Sequence, residues 1–101
     1  MKPKDKLKNE FLDVLVKISS DKKLLDKFLG SVLSPREYKE VGVRLKVFKM
    51  TLSGYTQRQI ASILKIGLAT VSRGALVVKE QELIFKKIFK DVQKITKTKD
   101  I

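Results

Sequence analysis

Neither cysteine nor histidine occurs anywhere in the 101 residues. That double absence excludes disulfides, zinc sites of the usual Cys/His kind and imidazole-based acid-base catalysis. The missing cysteine also fits a reducing cytoplasm. No apolar run approaches the about 20 residues needed to span a bilayer, and the start, Met1-Lys2-Pro3-Lys4-Asp5-Lys6, lacks the apolar stretch of a signal peptide. Internal repeats, Gly-rich phosphate loops and low-complexity tracts are absent too. The expectation is a cytoplasmic protein with no membrane partner, no metal ligands and no catalytic residues, because no clustered carboxylates take the place of the missing His and Cys.

Acidic residues are scarce: 11 Asp+Glu stand against 23 Lys+Arg, for a formal net charge of +12. None falls in residues 41–79, a stretch that carries Arg44, Lys46, Lys49, Arg58, Lys65, Arg73 and Lys79. A polyanion should therefore meet the middle of the chain. Charge alone does not separate DNA from RNA or an anionic membrane. The lysines are not confined to one strongly amphipathic helix, however, which argues against a membrane surface.

What is present is enough apolar residue, 43%, to build a core as a single helical domain over residues 1–101. Leu7, Phe11, Val14, Leu15 and Ile18 recur at helical spacing over residues 4–18. Asp21 is a suitable cap for a second helix with Leu24, Leu25, Phe28 and Leu29, which Gly30 should end. Ser34, Pro35 and Glu37 spell a capping box for a third helix, with Tyr38, Val41, Leu45, Phe48 and Leu52 on one face and a stop at Gly54. Thr56 and Gln59 make a second box, opening a short helix to Leu64. Gly67 turns the chain into another helix, to about Lys79. A last helix, about residues 81–95, carries Ile84, Phe85, Ile88, Phe89, Val92 and Ile95, an apolar stripe that needs a partner surface. Residues 96–101 are polar and expected to fray.

Residues 56–79 read as a helix-turn-helix. Ala61 leaves room where the two helices cross, and Ile60, Leu64, Ile66 and Val71 form the small core that holds them. Leu68, Ala69, Thr70, Ser72 and Arg73 are then left outside as compact or hydrogen-bonding groups, suited to a major groove about 12 Å wide. Two short helices joined by a glycine turn are common in helical proteins, so the motif gains its meaning from the carboxylate-free basic stretch around it.

Leu33-Ser34-Pro35-Arg36-Glu37, Gly42-Val43-Arg44, Gly54, Thr56-Gln57-Arg58 and Gly67-Leu68-Ala69-Thr70-Val71-Ser72-Arg73-Gly74 resemble the tryptophan repressor family over nearly the whole chain. The run Ile66 to Gly74 is the most specific piece. The resemblance implies an all-α subunit of six helices whose terminal helices, about residues 4–30 and 81–95, interlock with a second copy in an intertwined homodimer. It also implies a double-stranded DNA operator as partner, contacted through Gln57, Arg58, Lys65, Leu68, Ala69, Thr70, Ser72 and Arg73. Arg58 is the leading candidate for a base contact, since bidentate Arg to guanine is the commonest specific pairing; its other reading is a solvated surface arginine. Lys46, Lys49 and Lys65 are phosphate contacts or none at all.

A co-repressor pocket, for tryptophan or another small molecule, carries over onto Leu33, Ser34, Arg44, Thr70, Arg73, Gly74 and Val77. By the resemblance Arg44 and Arg73 sandwich an indole ring; their other reading is phosphate contact. Ala75-Leu76-Val77-Val78 stands where tryptophan-responsive members carry small polar residues, and Val77 replaces a hydroxyl facing the ligand's ammonium. An unpaired ammonium there costs a few kcal/mol, so tryptophan should bind weakly or not at all. The Gly54 to Thr56 loop is one residue shorter than in the family. Lys65 takes a turn position usually held by glycine, at a cost of about 1 kcal/mol if the backbone is left-handed. The function these features suggest is a sequence-specific transcriptional repressor; the alternative is a nonspecific nucleic-acid-binding or ribosome-associated basic protein.

Overall fold

Three helix starts are written in the sequence as a short polar side chain three residues ahead of a backbone donor, and all three form. Asp21 Oδ1 accepts from the Leu24 N–H at 3.1 Å. Ser34 Oγ accepts from the Glu37 N–H at 3.1 Å while Glu37 Oε1 accepts from the Ser34 N–H at 2.8 Å. Thr56 and Gln59 repeat that exchange at 3.1 and 2.8 Å. Each reciprocal pair satisfies two amide donors that a helix start leaves open. The Ser34 backbone N–H, and then its hydroxyl, hold the Glu37 carboxyl below its usual range.

The structure is a computed structural model that describes residues 2–90. They form six helices, α1 Pro3–Ile18, α2 Lys22–Val32, α3 Pro35–Ser53, α4 Gln57–Leu64, α5 Leu68–Glu80 and α6 Glu82–Ile88. No strand occurs among the described residues. The all-α, six-helix subunit expected from the sequence is the one observed. The chain divides into two compact units, and the boundary falls within α3 after Tyr38.

In the first unit α1 packs on α2, with the Phe11 and Phe28 rings 6.1 Å apart. The Tyr38 hydroxyl donates to Asp26 at 2.8 Å, which raises its pKa. Neither α1 nor α2 buries a residue, and Leu7 stays 67% exposed. Gly30 does not stop α2, which runs on to Val32. The stop comes instead from Leu33, whose backbone is extended at φ −105°, ψ 146°, immediately before the capping box that opens α3. Proline disfavours helical backbone at the residue ahead of it, here Ser34.

The second unit holds the core. Val47 and Met50 of α3 meet Ile60 of α4 and Val71 of α5, and Val43, Tyr55, Ala61, Ile63, Leu64 and Ile66 pack around them. Two features correct the reading of α3 and α6. Val41 and Leu45, expected on the core face, are 47% and 45% exposed, whereas Val47 is 1% exposed. At about 3.6 residues per turn, Val43, Val47 and Met50 lie on the side of the helix opposite Val41 and Leu45, while Leu52, at the end of the expected face, is buried as expected. Both stripes have helical spacing, and periodicity cannot choose between them. The last helix, expected to reach residue 95, ends at Ile88, where the Phe89 N–H bonds back to the Phe85 carbonyl at 2.9 Å. Val92 and Ile95 lie outside the described residues. The Phe85 ring lies tilted against Phe48 at 4.7 Å and stacked on Phe89 at 6.2 Å.

Gly54 ends α3 with φ 97°. Its N–H bonds to the Thr51 carbonyl and the Tyr55 N–H to the Met50 carbonyl, both at 3.1 Å, which is the Schellman arrangement that a left-handed residue closes. No helix among the described residues is long and apolar enough to cross a membrane.

Candidate nucleic-acid interface

The helix pair α4 and α5 packs directly together, joined by the turn Lys65-Ile66-Gly67. Lys65 adopts the left-handed backbone, φ 56°, ψ 49°, the conformation that glycine would take without strain. The bend is closed by the Ile66 N–H, which bonds to the Ala61 carbonyl at 3.1 Å, and Ile66 then packs on the core. Gly67 caps α5 with extended backbone and no side-chain hydrogen bond to its first turn. Neither first turn carries a carboxylate, which leaves the partial positive charge of both helix starts unopposed.

Burial sorts this segment cleanly. Ile60 and Val71 are fully buried, and Leu64 and Ile66 are half-buried. Gln57, Arg58, Lys65, Leu68, Ala69, Thr70, Ser72 and Arg73, the residues expected to face DNA, are all exposed. The structure brings them onto one two-helix element anchored on Val47 and Met50. A hydrogen bond crosses that element from the Ser72 hydroxyl to Gln57 Oε1.

The pocket residues are distributed differently. Leu33 and Ser34 belong to the first unit and the other five to the second. The Ser34 hydroxyl is committed to the α3 capping box. Arg44, Thr70 and Arg73 are exposed, and Val77 is half-buried. Gly74 sits where α5 passes close to α3: a Cβ there would lie 2.6 Å from Val47 Cγ1 and 3.7 Å from Phe48 Cε1. Glycine at this position therefore has a packing reason of its own.

Sequence reasoning missed Val47 and Met50, the platform that carries both helices, although the spacing of 43, 47 and 50 is a legible signal. It also missed the Gln57–Ser72 pairing, which spans 15 residues and follows no period. Lys49, expected at phosphate or nowhere, is half-buried with its Nζ 6.0 Å from the centre of the Phe89 ring.

Residues 6–93 match the family described as Trp repressor protein. The chain belongs to the Trp repressor family. Its relatives include the "Trp operon repressor homolog" proteins of Vibrio vulnificus strains YJ016 and CMCP6, each 36% identical over 62 residues, covering 60% of this chain. The chain spans 61% of the length of these curated relatives. No solved structure matches it significantly. The Trp repressor match runs from α1 through α6, so it covers most of both compact units.

Proposed function

We propose that this protein is a transcriptional repressor that binds a palindromic DNA operator in the major groove, as a cytoplasmic homodimer. The observation that carries this reading is the part of the α4–α5 element from Gln57 to Arg73, whose fully buried residues Ile60 and Val71 are apolar and whose exposed residues are, Leu68 apart, small, polar or basic, all within residues 41–79, which carry no carboxylate. Phosphate repels carboxylate, and a compact helix face enters the groove more easily than a bulky one. The relatives' name, repressor of a Trp operon, supports the same role.

α5 is the recognition helix in this reading. Arg58, on the first turn of α4, is placed for a base edge, while Lys46 and Lys65 supply charge to phosphates. The homodimer is supported by apolar surface left exposed among the described residues: Leu83 is 86% exposed, and Ile84, Ile88, Val41 and Leu45 are exposed beside it in sequence or on the second stripe of α3. Burying such side chains yields about 1.5–3 kcal/mol each, enough to drive association. Repression then follows from occupancy of the operator, without catalysis. Selection of bound duplex from a random pool tests the reading: enrichment of a two-fold symmetric site supports it, and binding that is indifferent to sequence favours the nonspecific nucleic-acid reading.

An effector, where one acts, would use Arg44 and Arg73. Val77 offers no hydrogen-bond acceptor to an ammonium from its side chain, so tryptophan is a weak effector or none.

A further inference from the structure

One side-chain hydrogen bond joins the outer faces of α4 and α5: the Ser72 hydroxyl donates to Gln57 Oε1. Both residues are exposed, so the bond does not serve to satisfy a buried group. A serine hydroxyl has one proton and two lone pairs; a glutamine amide has an acceptor oxygen on one limb and two N–H donors on the other. With its proton spent on Gln57, Ser72 Oγ can only accept. With its oxygen turned to Ser72, Gln57 offers the outside its Nε2 donors. The bond thus assigns opposite polarities to two neighbouring groups.

Gln57 is the first residue of α4, and the first helix of a helix-turn-helix crosses the DNA backbone. Phosphate oxygens accept hydrogen bonds and never donate them. We infer that Ser72 is a positioning residue, which holds the Gln57 amide so that Nε2 donates to a DNA phosphate, and that Ser72 gives no proton to DNA itself. The inference rests on the DNA-binding reading above and narrows the expectation that Ser72 contacts the operator.

The test compares Gln57→Ala, Ser72→Ala, the double variant and Ser72→Thr on a duplex selected from a random pool. Each alanine variant should bind about tenfold more weakly. The double variant should lose about tenfold as well, because either change removes the same contact. Ser72→Thr keeps the hydroxyl and should stay within about threefold. The losses should be equal on matched and mismatched duplexes, with the salt slope unchanged, since a neutral donor to phosphate carries no sequence information and displaces no counterion. Losses that multiply to about a hundredfold, failure of Ser72→Thr, or an altered base preference in Ser72→Ala would overturn the inference while leaving the repressor reading standing. A wild-type protein that enriches no duplex overturns both.

Discussion

The Cβ that Gly74 lacks would stand 2.6 Å from Cγ1 of Val47, a side chain that is itself 1% exposed and branched, so it has little freedom to move aside. Helix propensity alone makes Gly74→Ala stabilising by about 1 kcal/mol. Steric conflict with Val47 reverses the sign, and the variant should be about 1–3 kcal/mol less stable. Urea unfolding at fixed chain concentration measures this. Adding Val47→Ala to the same chain should cost less than the two single losses summed. A gain in stability for Gly74→Ala alone would show that the two helices do not approach this closely.

Lys65 gives a second backbone test, because its left-handed conformation is strained for any residue with a Cβ. Lys65→Gly should raise stability by about 0.5–1 kcal/mol, after allowance for the entropy that glycine gives the unfolded chain. Lys65→Ala should not. Both variants lose the same charge, so both should make the salt dependence of DNA binding shallower by about one unit if this lysine meets phosphate. A fold that improves while affinity falls is the expected combination.

Arg58→Ala should relax base preference at one position of each half-site and cost about 1–3 kcal/mol on the preferred duplex. Lys46, exposed on α3, is the control: Lys46→Ala should weaken all sequences alike. Lys49 is a poor control because its amino group lies over the Phe89 ring. Binding measured on the selected duplex and on single-base variants distinguishes the two effects, and equal losses everywhere for Arg58→Ala would reduce that arginine to a phosphate contact.

L-Tryptophan should change DNA affinity little. Ligand and DNA affinities are linked, so a co-repressor must bind more tightly in the presence of operator by the factor by which it tightens DNA binding. Titration calorimetry with and without operator reads both sides of that cycle. Micromolar tryptophan binding that tightens DNA affinity about tenfold, or about 1.4 kcal/mol of coupling, would restore Arg44 and Arg73 to an indole sandwich in spite of Val77.

Acid should loosen the start of α3. The Glu37 carboxylate is held below its ordinary value by the Ser34 backbone N–H and then the Ser34 hydroxyl. A depressed folded pKa contributes stability that is present above the unfolded value and is lost as pH falls through the folded one. Glu37→Gln keeps the reciprocal hydrogen bonds, as Gln59 does for α4, and should show a flatter stability profile on the acid side. Thermal midpoints between neutral and acidic pH compare the two proteins.

The sequence by itself determined what is local. Capping boxes at Ser34 and Thr56 and the glycine stop at Gly54 act through atoms a few residues apart, so their outcome is readable from residue type and spacing. It also determined which residues of α4 and α5 face outward, because Ile60 and Val71 are the apolar residues that a two-helix element must cover. Tertiary structure alone decided which side of α3 faces that element. Val43, Val47 and Met50 compete with Val41 and Leu45 on equal terms of periodicity, and the fit of Val47 beneath Gly74 leaves Val41 and Leu45 outside. The same is true of the Gln57 amide: its polarity at the surface depends on a serine from the next helix, and contacts between distant segments follow from packing rather than from any pattern along the chain.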